Sequence, residues 1–210
     1  MISIVIPALN EEKYIEKTLK EISKNIEIIV VCDGCTDNTE KIAKKYARVY
    51  NIKERNVSLA RNYGASKAKG ETIIFLDADT LINNKVLDKI DKIKSKSFFG
   101  TCKVKPDSKK LMAQIYCKLK NFIGLFGIHS ASGIIFCSKS LFNKVKFDVN
   151  RIKHENQEFS ERAMKYGKRY FLNCYVITSM RRFEKIGYLK VPLYWIKEIF
   201  HKTKDYPLIR

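Results

Sequence analysis

Proline and glycine are scarce in this chain, at 4 and 9 of 210 residues, and no low-complexity tract interrupts it. No period of about 20–50 residues repeats, so a solenoid is excluded along with extended disorder. Long hydrophobic runs are missing too. The first apolar run covers only residues 2–9, with no basic segment before it and no small-residue cleavage site after it, so no signal peptide is expected. The most apolar later stretch, residues 122–136, is broken by three glycines, a histidine and two serines. A membrane span needs about 20 largely apolar residues, and none is read here. Negative charge is the other shortage. Against 41 Lys and Arg stand 22 Asp and Glu, a net charge of +19.

That deficit is uneven. Residues 1–100 carry 18 basic and 14 acidic side chains, a net of +4, whereas residues 101–210 carry 23 and 8, a net of +15. The second half therefore faces something anionic: nucleic acid, a phospholipid surface or a phosphorylated substrate. With 45% hydrophobic residues the chain can bury a sizeable core without disulfides or a structural metal. Its six cysteines (Cys32, Cys35, Cys102, Cys117, Cys137, Cys174) read as reduced core residues. Cys32 and Cys35 form a CxxC, but no second pair completes a zinc site.

What is present begins as alternating strand and helix. Residues 2–7, 27–32, 47–50 and 72–76 are short apolar, β-branched runs that read as buried parallel strands. Between them, Asn10 is placed to cap a helix with Glu11 and Glu12 in its first turn and Ile15, Leu19 and Ile22 on one face. Asp37 or Asn38 caps a second helix through Tyr46. Residues 58–69 form a third, ended by Gly70. This is a doubly wound α/β half of about 100 residues. Right-handed crossovers bring residues 7–11, 33–37 and 77–79 to the C-terminal strand edge, where open α/β sheets bind ligands. The second half is less regular. Strands are expected at residues 98–104, 132–137 and 170–178, and helices at 109–122, 154–166 (closed by Gly167) and 191–201, in a mixed strand order.

The acidic triplet Asp77-Ala78-Asp79 follows the fourth strand directly. Two carboxylates two residues apart on an extended segment can share a hard divalent cation and a ribose. The plainer alternative is that Asp79 or Thr80 caps a helix starting at Leu81. Three further segments accompany the triplet: IPALNEE, then VVCDGCTDNT about 20 residues on, then ARNYGASKAKGETIIFLDADT. In order and spacing, residues 2–80 resemble the family-2 glycosyltransferases, with Cys32 and Cys35 standing where that family usually has Asp and Ser. The CxxC is thus a variant of this loop.

The resemblance implies a GT-A fold, an α/β single domain of 210 residues with a Rossmann-like nucleotide half (1–100) and a mixed-sheet acceptor half (101–210). It implies a UDP- or GDP-linked sugar donor and an inverting transfer. Pro7, Ala8, Asn10 and Glu11 would line the nucleotide pocket, Asp33 would meet the base imide, and Arg61 and Asp77 would lie by the nucleotide and ribose. Asp79, with Asp77, would hold Mn²⁺ or Mg²⁺. Arg181 and Arg182, in TSMRRF, would face the pyrophosphate.

In the segment HENQEFSERAMKYG, Glu155 matches the family's Glu and Asn156 stands where its usual base, an Asp, is found. Asparagine cannot accept a proton. Three readings remain open: Glu155 or Glu158 serves as base; the chain binds donor without turnover; or the acceptor needs no base. A phosphate monoester, with a second pKa of about 6, is already nucleophilic at neutral pH. A polyprenyl or dolichyl phosphate, or a lipid-linked glycan, would suit the basic half, with the protein in the cytoplasm or peripheral on the cytoplasmic membrane face. Leu189, Leu193, Ile196 and Phe200 fall at helical spacing and fit either an interfacial helix or one packed on the domain. A basic nucleic-acid-binding module has only the charge in its favour, since no nucleic-acid-binding signature is visible.

Overall fold

The computed structural model describes residues 1–23, 25–126, 133–151, 154–188 and 190. β1 (Ile2–Ala8), β2 (Glu27–Asp33), β3 (Arg48–Ile52) and β4 (Thr72–Leu76) are parallel neighbours, connected through α1 (Ile15–Lys20), α2 (Thr39–Ala43) and α3 (Val57–Lys67). Then come β5 (Thr80–Leu81), α4 (Asn84–Asp91), β6 (Phe98–Pro106), α5 (Leu111–Leu125), β7 (Ile134–Ser138), α6 (Lys139–Val145), α7 (Glu155–Ala163), β8 (Lys168–Thr178) and α8 (Arg181–Ile186). One mixed sheet holds every strand among the described residues, in the order β3-β2-β1-β4-β7-β6-β8-β5. β7 enters antiparallel beside β4, and this reversal separates the parallel half from the mixed half.

Two hydrophobic layers cover the sheet, which is why its central strands read as unbroken apolar runs. Ile4 and Ile6 of β1 pack into the layer that holds α1, α4 and α5, while Val5 packs with α3, α6 and α7. Gly64 lets α3 lie close to the sheet. A Cβ there would stand 2.4 Å from Val5 Cγ1, so the helix would have to lift. The same close packing sets the height of Arg61 one turn earlier.

Several local expectations are corrected. Asn10 does not cap α1; it takes a left-handed backbone (φ 55), and its side chain bonds instead to the next loop. No helix starts at Leu81, because Thr80 and Leu81 pair with β8, and Asn83 caps α4 through Val86 N–H at 3.2 Å. Gly70 is not a left-handed helix end. Its N–H donates to Ser3 Oγ at 2.7 Å in a place where a Cβ would strike β1. The helix expected over 154–166 is α7, with His154 outside it at φ 55. The two arginines of the TSMRRF segment open a short helix, α8. The helix expected over 191–201, and Leu189 before it, lie outside the described residues.

A polar knot ties the sheet's first strands together. The Glu27 carboxylate accepts from Ser3 Oγ, from Lys69 N–H at 2.7 Å and from Arg48 Nη2 at 2.5 Å. Burial pushes its pKa up, but these bonds outweigh burial and hold it below the usual carboxylate value. Stability from a lowered carboxylate is fully present above the unfolded pKa and is lost as pH falls through the folded one. Glu27→Gln is therefore expected to cost about 1–3 kcal/mol at pH 7. That difference should shrink below about pH 4. Urea melts of both proteins at the two pH values check it; a pH-independent difference would refute the assignment.

Candidate active site

The site is assembled where the parallel strands end. Past β1, Asn10 Oδ1 accepts Thr36 N–H at 2.8 Å, and the Cys35 thiol donates to the Ala8 carbonyl at 3.2 Å. Glu11 N–H donates to Thr39 Oγ1 at 2.7 Å. The loops after β1 and β2 are thus stitched into one rim. Pro7 and Ala8 form its buried floor, paired with Val31 and Cys32, and Asp33 is buried at the end of β2.

Past β4 the chain turns at once. Asp77 N–H donates to the Gly133 carbonyl at 2.8 Å, and Thr80 N–H returns to the Asp77 carbonyl at 3.0 Å. Gly133 holds a positive φ (+73), and a Cβ there would collide with Thr80. Thr18 of α1 donates to the Ala78 carbonyl at 2.8 Å, so the backbone between the two aspartates is pinned from the other side.

Two arginines then bridge four carboxylates. Arg181, at the start of α8, grips Glu11 with both terminal nitrogens (2.7 and 2.6 Å), reaches Asp79 at 3.1 Å and lies over the Tyr14 ring at 4.4 Å. Arg61, on α3, meets Asp77 at 3.2 Å and Glu155 at 3.0 Å, over the Phe147 ring at 5.1 Å. Its side chain is only 4% exposed, which excludes an ordinary surface ion pair. Residues remote in sequence, Glu11 with Arg181 and Arg61 with Glu155, are here direct partners.

Charge in this cluster is crowded. Burial, then repulsion from Asp77 and Glu11, push Asp79 up to about 7, against the opposing pull of Arg181. A carboxylate raised in this way is one that an added cation would stabilise. The donor set is oxygen only, and among the described residues no three or more His, Cys, Asp or Glu converge closely enough to hold a metal ion by themselves. These residues suit a hard divalent ion that takes one or two carboxylates and fills its remaining positions from substrate phosphate.

The side chain that sequence reading missed is Lys120. It sits on α5 close enough for the charges of Asp77 and Arg182 to act on it, and burial pushes its pKa down to about 8. A signal was available: Ala113, Cys117 and Gly124 mark the buried stripe of α5, and Lys120 falls on that stripe at helical spacing. Arg182 is half-buried next to it.

Of the two glutamates expected as bases, Glu155 joins the cluster through Arg61. Glu158 instead binds Arg162, whose guanidinium also donates to the carbonyls of Val145 and Lys146 at the end of α6. Asn156 is half-buried, and its main-chain carbonyl accepts Ser160 Oγ–H at 2.8 Å.

A family model described as Glycosyl transferase family 2 matches residues 3–178. Glycosyltransferase GlyG of Streptococcus pneumoniae is 36% identical over 99 residues, covering 42% of this chain and 33% of that relative. Among solved structures, S. aureus TarS residues 1–349 in complex with UDP-GlcNAc superposes with a TM-score of 0.67 at 22% identity, covering 85% of this chain and 58% of that one. The Pyrobaculum calidifontis mannosyltransferase PcManGT, in complex with GDP-Man and Mn²⁺, gives 0.68 at 16%, covering 84% and 56%. In each case the match covers less than two thirds of the relative's own length.

Proposed function

The chain belongs to glycosyl transferase family 2 and has the GT-A fold, and on that premise we propose an inverting, metal-dependent transfer from a UDP- or GDP-linked sugar to a phosphate-bearing acceptor. The observation that carries this reading is the strand-end cluster: Glu11, Asp77, Asp79 and Glu155 bridged by Arg61 and Arg181, with Lys120 and Arg182 beside it.

Each residue type suits its task. Asp33 accepts from the base imide and Asp77 from the ribose, because carboxylates take N–H and O–H donors. Pro7, Ala8 and Asn10 shape the floor and rim on which the nucleoside rests. Asp79, with Asp77, would hold Mn²⁺ or Mg²⁺, which when bound supplies charge to the departing diphosphate. Arg181, Arg182 and Lys120 add fixed positive charge to that same leaving group. For a hydroxyl acceptor Glu155 is the base, oriented by Arg61. For a phosphate acceptor no base is needed. The charge of the second half supports an anionic acceptor, and TarS is itself named for poly(ribitol-phosphate).

Lys120→Met is expected to weaken UDP or GDP binding in the presence of Mn²⁺ by about tenfold, the loss of one charge-assisted contact. Calorimetric titration of both proteins checks this, and equal affinities would remove Lys120 from the site. Transfer assays with polyprenyl phosphate and with simple glycosides decide the acceptor. Activity confined to glycosides would refute a phosphate-bearing acceptor, and absent nucleotide binding would refute the donor reading itself.

A further inference from the structure

α5 is inside out. Its sheet-facing stripe is made of the buried Ala113, Cys117 and Gly124 and the half-buried Lys120, while its solvent side carries Leu111, Met112, Ile115, Leu119, Phe122 and Phe126. At about 100° per residue these six fall within one arc of roughly 100°, facing away from the sheet. They are not grazing exposures: Leu111 is 73% exposed, Phe122 58% and Phe126 70%. Phe122 and Phe126 pack edge to face on each other at 5.0 Å, out in solvent. A contiguous apolar stripe of this size on a soluble surface calls for an occupant.

The charges around it say which occupant. Between Asp107 and Asp148 the chain has no carboxylate, and three lysines of that segment border the face: Lys109 and Lys110 at the start of α5 and Lys118 on it. Lys109, Lys110 and Lys118 are all exposed. An apolar helix face bordered by Lys109, Lys110 and Lys118, of which Lys110 also meets Glu184 at 3.0 Å, matches the boundary between lipid head groups and acyl chains. A hydrophobic protein partner would not require that α5 itself carry no carboxylate. Among the described residues no helix is long and apolar enough to cross a membrane, so contact through this face would be peripheral.

We infer that α5 docks this protein on an anionic lipid surface, its Leu111–Phe126 face in the interface and its flanking lysines on the head groups. The opposite side of the same helix carries Lys120 to the Asp77 cluster. Docking would therefore set the catalytic cleft one helix diameter from the bilayer, within reach of a lipid-linked acceptor. That last consequence rests on the proposed transfer activity; the docking itself does not.

The test is flotation of the full 210-residue chain, without nucleotide, on vesicles of phosphatidylcholine with or without phosphatidylglycerol. Wild type is expected to float with the anionic vesicles and to do so less as salt rises. The double substitution Leu119→Glu and Phe122→Glu should lose at least about tenfold in vesicle affinity, since two large apolar side chains leave the interface. Both positions are exposed, so its melting temperature and UDP or GDP affinity should match wild type. A second variant, Phe122→Trp, should show blue-shifted emission that brominated lipid quenches. No flotation, equal flotation of the double variant, or emission unmoved by vesicles would overturn the inference. So would a wild-type dimer that ignores vesicles and that the double variant dissociates, because a second copy would then cover the face. Donor titrations run separately keep a failure here distinct from a failure of the transferase reading.

Discussion

Asp79→Ala is expected to lose about a thousandfold in kcat/KM, the upper range for removing one preorganised electrostatic element, with little cost or even a gain in stability. Activity and stability separate here for one physical reason. Asp79 is desolvated and crowded by Asp77 and Glu11, so its carboxylate is raised to about 7 in the fold. A carboxylate raised above its unfolded value costs the folded state stability, and the cost grows from the unfolded pKa up to the folded one. Without added metal, the variant should therefore melt higher than wild type at pH 8 and lose that advantage toward pH 4. Arg181 keeps both its bonds to Glu11 in the variant, so no guanidinium is stranded. With Mn²⁺ and nucleotide the order should reverse, because only the wild type gains a ligand. Melting curves at two pH values with and without Mn²⁺ and UDP or GDP check all of this. Undiminished Mn²⁺-dependent nucleotide affinity in the variant would refute the metal role.

Arg181→Ala should have the largest effect on stability. The side chain is the sole bridge described between Glu11 and Asp79, and its loss leaves a buried carboxylate, Glu11, without either guanidinium bond. Breaking a buried pair from one side costs about 3–5 kcal/mol. For a domain of this size that corresponds to a fall in Tm of roughly 10 °C. Arg181→Lys should recover only part of it, since an ammonium cannot fork across two oxygens and stacks less well over Tyr14. The double variant Arg181→Ala with Glu11→Gln should regain much of the loss, because the stranded charge is gone. Failure of that rescue would mean that the bridge carries little energy and that Arg181 acts mainly through packing. Donor affinity should fall in all three variants, most in the alanine one.

The strand-end geometry was legible in the sequence for a simple reason. Parallel strands buried on both faces must be apolar throughout, so polar residues appear where a strand ends, and Asp33 and Asp77 mark those ends by themselves. The family resemblance lay in the same places, over the first 80 residues. Asn10 shows the limit of that reading. It looked like a helix cap because its neighbours Glu11 and Glu12 suit a first turn, yet a bond to Thr36 in the next loop holds it in a left-handed backbone instead. A propensity is local and the competing partner is not.

The chain's own order thus determined the alternating half, the acidic turn after β4 and the deficit of negative charge in the second half. Tertiary structure alone decided which charges meet. Glu11 finds Arg181 across 170 positions and Arg61 finds Glu155 across 94. Such pairs depend on the antiparallel entry of β7 and on how closely α3, α5 and α8 approach the strand ends. The scarcity of carboxylates that composition made plain was resolved in the same way: it became a lysine-bordered apolar face on one side of α5 and a lysine near Asp77 on the other. Composition sums charge over the chain, whereas folding assigns each charge to a surface.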